Sequence, residues 1–156
     1  MSVPAKAEEK EKSLISQETK LFITFWLGNF LFALPVEEVV EINRSLDITP
    51  VPLSPTYVSG IINLRGQILT AIDLASRIGL EKTGEAHHNV IIGRDEEPIS
   101  LLVEQIGDVL EIPLSEVEEP PDVIEGLDTK FVKNVCQLPE RLLIILDAEK
   151  LLHRQE

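Results

Sequence analysis

Apolar residues alternate with polar ones in short runs through most of the chain, and each run ends at glycine, proline or a polar pair. A period of two is that of a β-strand with one face buried. The run 21–27 predicts a strand with Ile23, Phe25 and Leu27 on one face, and Gly28-Asn29 predicts a tight turn into a second strand at 30–34. A third strand follows at 39–43. Prolines at 50, 52 and 55 hold 49–57 extended or in turns, since each fixes φ and removes a backbone donor. Strands at 60–64 and 67–72 flank Arg65-Gly66, a hairpin in which Gly66 supplies a positive φ. Asp73 is placed to cap a short helix at 74–78 that Gly79 closes. Beyond a polar loop at 81–89, strands are predicted at 90–93, 99–104, 106–112, 132–138 and 141–146. Asp147 then caps a last helix running to about residue 152.

The later strands repeat the earlier ones. Ile61-Ile62-Asn63-Leu64 with 68–73 matches Val135-Cys136-Gln137-Leu138 with 142–147, and each is a hairpin running into an Asp-capped helix. Positions 36–42 match 106–112. These ordered matches point to a duplicated unit, with motifs at 36–79 and 106–152. About five strands per half are too few to close a large sheet, so two small barrels packed over an apolar interface are expected. A groove between them would suit a partner helix. Residues 1–18 alternate Lys and Glu around small residues and can bury little. They read as a disordered charged tail, leaving 19–154 as the ordered domain.

Composition narrows the function classes. Val, Ile and Leu supply most of the 44% hydrophobic content and aromatics only 4%, which suits a mostly β fold. A formal net charge of −13 argues against nucleic acid and against an anionic membrane surface, both of which are held by Lys and Arg clusters. The acidic surface either keeps the protein soluble or steers it toward a basic partner. Cys136 is the only cysteine, which excludes an internal disulfide and suits a reducing compartment, and its apolar neighbours suit a buried thiol. With no signal-peptide pattern and no apolar run of spanning length, a cytoplasmic protein is expected.

Candidate chemistry is sparse. His87-His88 follow Glu85 in the polar loop, but no set of ligands at metal-binding spacing surrounds them, so no metal site is expected. A metal-binding or small-molecule-binding barrel stands as a minor alternative, motivated only by that pair and by the expected groove. Asp73 and Asp147 are accounted for as helix caps. No Gly-rich phosphate loop, Gly-x-Ser-x-Gly elbow or Walker-type lysine is present, so no catalytic residue and no cofactor is assigned.

The segment left to explain is Gly60-Ile61-Ile62-Asn63-Leu64-Arg65-Gly66-Gln67-Ile68. Alternation puts Ile61, Asn63 and Arg65 on one face and turns Ile62 and Leu64 toward a core. Arg65 at the tip is either a solvated turn residue or a protein contact whose planar fork grips a carboxylate or carbonyls.

At this hairpin the sequence resembles the CheW family of chemotaxis coupling proteins. The residues that carry the resemblance are 60–66 followed by Ile72-Asp73-Leu74, then Val39-Val40-Glu41-Ile42, Ile106-Gly107-Asp108-Val109-Leu110, and the closing strand and helix at 142–152. It covers about residues 20–152. The resemblance implies two SH3-like five-stranded β-barrel subdomains with short capping helices. It also implies a non-catalytic adaptor in two-component signal transduction. The implied partners are the regulatory domain of a CheA-type histidine kinase and the cytoplasmic tip of methyl-accepting chemotaxis receptors. The implied location is the receptor array at the inner face of the membrane. A pilus or developmental pathway served by the same fold is an alternative. By this resemblance Arg65, Val39, Glu41, Ile106 and Val109 fall where the family contacts partners around the groove, with Ile48 and Gly60 in support. Gly60 is expected to act by permitting close backbone approach. Ala71 and Ala75 depart from the family's common Pro and Arg, and the second points to an altered partner surface.

Overall fold

The computed structural model describes residues 18–81 and 84–153. The tail expected at 1–18 therefore lies outside the described residues, apart from Glu18. The strands are β1 (Thr19–Leu27), β2 (Phe30–Pro35), β3 (Val39–Arg44), β4 (Val58–Leu64) and β5 (Gln67–Asp73), followed by helix α1 (Leu74–Arg77). Then come β6 (His88–Ile92), β7 (Ile99–Val103), β8 (Gln105–Pro113), β9 (Val132–Gln137), β10 (Leu142–Leu146) and helix α2 (Ala148–Leu152). The fold is mostly β, as the alternation predicts, and each strand lies close to its predicted place. The polar loop is shorter than expected: His88 and Asn89 belong to β6, where Asn89 is buried and accepts a hydrogen bond from Ser100 Oγ at 2.9 Å.

The strands form two five-stranded sheets, ordered β8-β1-β2-β10-β9 and β3-β6-β7-β5-β4. The sheets do not follow the two halves of the sequence. The second sheet is continuous in sequence, but the first joins the N-terminal hairpin β1–β2 to the C-terminal strands through a parallel pair, β2 with β10. Both strands are buried in near-continuous runs, as strands covered on both faces are. The second sheet has the same order with its own parallel pair, β5 with β7. Register irregularities recur at matching places as well, in β3 and β8, and in β4 and β9.

The expected closed barrels are open sheets. Among the described residues, closure is limited to a single bridge in each: Thr49 exchanges hydrogen bonds with Ile61 of β4, and Glu118 does so with Val135 of β9. No ladder among the described residues joins β3 to β4 or β8 to β9.

The interface between the sheets is apolar. One large cluster draws Phe25, Phe32 and Ile144 from the first sheet and Ile72, Ile92 and Leu101 from the second. Phe25 and Phe32 stack with centroids 6.2 Å apart. Full burial of such a side chain contributes about 1.5–3 kcal/mol. Each sheet also covers a smaller cluster of its own, one around Phe22, Leu143 and Cys136, the other around Ile62, Leu69 and Ile91. Cys136 is fully buried, and desolvation, followed by the nearby Glu116 and Glu118 carboxylates, pushes its thiol above the ordinary range. Ala75 faces the large core at 2% exposure, so it forms no part of a partner surface.

The two helix starts differ. Asp147 caps α2 by accepting from the Lys150 amide at 3.2 Å. Asp73 holds the equivalent position, but its side chain accepts from Ser76 Oγ at 2.9 Å and makes no backbone cap bond.

Candidate functional site

The β4–β5 hairpin turns through Arg65 (φ 51) and Gly66 (φ 90), so both central residues take positive φ, as a two-residue turn matched to strand twist requires. Asn63 closes the turn by accepting from the Gly66 amide at 2.8 Å. The left-handed backbone at Arg65 costs about 1 kcal/mol relative to a glycine and sends its side chain, 70% exposed, back over β3. There its Nη2 donates to Glu41 Oε1. Asn43 Nδ2 donates to the other carboxylate oxygen at 2.7 Å. The amide of Asn43 and then the guanidinium of Arg65 hold the Glu41 carboxyl below its ordinary 4.5.

Because the folded-state value is lowered, this interaction stabilises the fold above the ordinary carboxylate range and is lost as pH falls through the lowered value. Carboxyl-detected NMR titration should place the Glu41 midpoint below 4.5. Asn43→Ala should raise it more than Arg65→Ala, since the exposed guanidinium is screened by solvent. The opposite ranking would show that the ion pair dominates.

A β-bulge decides what β3 presents. Val39 is opposite Ile92 and Glu41 opposite Ile91, with Val40 unmatched between them. In a regular strand Val39 and Glu41 would share a face; the bulge separates them. Val39, 8% exposed, packs into the large core, while Glu41 turns outward to Arg65. Gly60 is buried where its backbone meets Thr49, and a Cβ there would lie 2.2 Å from the Thr49 carbonyl oxygen. Ile48, half-buried, packs beside it over the Ile62 cluster.

Ile106 and Val109 lie on the other sheet, in β8. They are three residues apart and would point to opposite faces of a regular strand. A bulge again intervenes: Phe25 is opposite Ile106 and Ile23 opposite Val109, so Thr24 faces both Gly107 and Asp108. Both side chains thus reach one face, Ile106 half-buried against the large core and Val109 56% exposed. The structure therefore brings Arg65 and Glu41 into direct contact and sets Gly60 beside Ile48. It leaves Ile106 and Val109 as a separate pair.

Among the described residues, three of the surface depressions bear on the site. One of about 360 Å³ is lined by Val40, Glu41, Leu64, Arg65 and Arg94. Another of about 570 Å³ lies over the first sheet beside Trp26, Ile106, Asp108 and Arg141. The third, about 470 Å³, is bounded by Leu53, Tyr57, Ile72, Arg77 and Leu151, where the second sheet meets α2, and none of the seven predicted residues lines it. Sequence reasoning passed over Asn43 and Arg94. Asn43 was within reach, being two residues from Glu41 on one strand; Arg94 had no local signal. Among the described residues no group of three or more His, Cys, Asp or Glu is placed to hold a metal ion. His87 pairs with Glu85 at 2.9 Å, whereas His88 faces the Glu104 carbonyl.

Comparison with known proteins identifies the family and the fold. A family model described as a CheW-like domain matches residues 21–156. The chemotaxis protein CheW of Treponema pallidum is 30% identical over 148 residues, covering 91% of this chain and 87% of that protein. That of Bacillus subtilis is 31% identical over 136 residues, covering 85% and 86%. The crystal structure of the scaffolding protein TtCheW from Thermoanaerobacter tengcongensis superposes with a TM-score of 0.77 at 31% identity, covering 83% of this chain and 90% of that one. The family match, the near full-length relatives and the common fold agree: the chain belongs to the CheW-like family and has the fold of a chemotaxis scaffold.

Proposed function

We propose that the chain is a non-catalytic adaptor that couples methyl-accepting chemotaxis receptors to the regulatory domain of a CheA-type histidine kinase. It acts in the cytoplasm at receptor arrays. The observation that carries this reading is the Glu41–Arg65 pair, a charged and hydrogen-bonded group held at the surface beside the exposed apolar side chains of Val40, Ile42 and Ile68. Apolar side chains around a positioned arginine are the make-up of a protein-binding patch. Ile106 and Val109 offer a second contact on the other sheet, so one adaptor engages two partners at once. Receptor changes reach the kinase through the difference in contact energy between the two states.

The test is a calorimetric titration of the kinase regulatory domain and, separately, of the receptor tip, with wild type and Arg65→Ala. Because Arg65 is exposed, the variant should fold with a stability change of about 0.5 kcal/mol or less. One of the two affinities should fall by about tenfold, equivalent to 1.4 kcal/mol. Wild-type affinity for both partners in the variant would remove Arg65 from the contact. Failure of the wild type to bind the cognate kinase domain would overturn the coupling function.

A further inference from the structure

We propose that Arg94 is a positioning residue that pins the β3 bulge and thereby sets the Glu41–Arg65 surface. Arg94 stands in the turn after β6, far from β3 in sequence. Its Nη2 donates to the Val39 carbonyl at 2.8 Å and its Nε to the Glu37 carbonyl at 3.4 Å. One guanidinium thus spans the two carbonyls by which the chain enters the bulge. Planar, paired donors on rigid spacing suit this role, and a flexible ammonium would hold only one carbonyl at a time.

The turn is built to deliver it. Gly93 has φ 101, and a Cβ there would lie 2.9 Å from Leu152 Cδ2 and 3.0 Å from Pro98 Cα. Only glycine lets the chain pass so tightly against α2 before Arg94 reaches across.

The other sheet repeats the device with different chemistry. At the corresponding bulge in β8, Thr24 Oγ1 donates to the Asp108 carbonyl at 2.5 Å, and the approach is open because residue 107 is glycine. In both sheets a side chain from the adjoining hairpin therefore holds a carbonyl of the bulged strand. The bulge matters because register decides faces: sliding a strand by one residue exchanges its inward and outward side chains. Without the pin, β3 can pair regularly with β6, and Glu41 then competes with Val39 and Val40 for the buried face.

The first readout is the free protein and needs no partner. In Arg94→Ala the amide signals of Val40 and Glu41 should shift, and the Glu41 carboxyl should titrate closer to an ordinary glutamate. Arg94→Lys should restore part of both, because one donor to the Val39 carbonyl returns. Wild-type amide shifts and an unchanged Glu41 midpoint in Arg94→Ala would overturn the proposal. The second readout rests on the coupling function proposed above: partner affinity in Arg94→Ala should fall by the same factor as in Arg65→Ala. In the Arg65→Ala background, Arg94→Ala should cost little more. A full additive loss would make Arg94 a direct partner contact and overturn the positioning role. If the wild type binds no kinase domain, the coupling function fails while the free-protein readout still decides the role of Arg94.

Discussion

Gly60→Ala should destabilise the protein by about 3 kcal/mol, the sum of backbone strain and overpacking. The backbone at Gly60 has φ 151, and the Cβ of an alanine would meet the Thr49 carbonyl oxygen at 2.2 Å, its carbon at 2.7 Å and Ile48 Cγ2 at 2.9 Å. The obstacle is backbone and cannot rotate aside. Thr49 is itself held there by two hydrogen bonds with Ile61, each 2.9 Å, which form the single bridge across the open edge of the second sheet. Relief of the clash therefore breaks the bridge. Gly66→Ala is the matched control: its φ of 90 also disfavours a side chain, but nothing lies within 4 Å of the new Cβ. That substitution should cost about 1 kcal/mol. Urea denaturation of both variants measures the difference. Equal midpoints would mean that the Thr49 segment yields freely and that the close approach carries no weight.

The strands were legible because their signal is local. Ile23, Phe25 and Leu27 alternate toward the large core, and Arg65-Gly66 and Gly28-Asn29 mark turns whatever the distant chain does. Partnership between strands was not legible. Nothing in Phe30–Pro35 names Leu142–Leu146 as its parallel neighbour, so the sequence did not place the N-terminal hairpin in either sheet. Bulges were equally silent, since one unmatched residue leaves the composition of a strand unchanged. Yet the bulge at Val40 sends Val39 to the core and Glu41 to the surface, and the one at Gly107-Asp108 puts Ile106 and Val109 on a common face. The Glu41–Arg65 contact needed both the hairpin, which alternation predicts, and the bulge, which it does not. Helix capping failed once for a similar reason. Asp73 and Asp147 have equivalent positions, but Ser76 offers Asp73 a hydroxyl partner that Asp147 lacks three residues on, where Lys150 stands.

Phe131→Ala should be the other severe substitution, at about 3–5 kcal/mol, the range for emptying a buried phenylalanine site. Phe131 is 1% exposed, and its ring lies 4.5 Å from the guanidinium carbon of Arg77. The Tyr57 ring lies on Arg77 at the same distance. These aromatics hold matching places in the two sheets: the Tyr57 carbonyl accepts from the Asp73 amide at 2.7 Å, and the Phe131 carbonyl from the Asp147 amide at 2.8 Å. Arg77 thus joins the start of β4 to the start of β9 across the interface. Its Nη2 is buried without a hydrogen-bond partner, a burial that costs about 1–3 kcal/mol. The two ring faces offset this, at roughly 0.5–2 kcal/mol each. The terms nearly cancel, so Arg77→Leu should change stability little. Phe131→Leu keeps most of the volume and removes the ring face, leaving the cation half-covered. A double-mutant cycle between them should therefore show a coupling of about 1 kcal/mol. Additive effects would mean that Phe131 acts by volume alone. Coupling would make Arg77 the tie that fixes the sheet carrying Glu41 and Arg65 against the sheet carrying Ile106 and Val109. Under the proposed function, an adaptor with a partner on each sheet would need such a tie, because a loose joint would absorb the signal it is meant to pass.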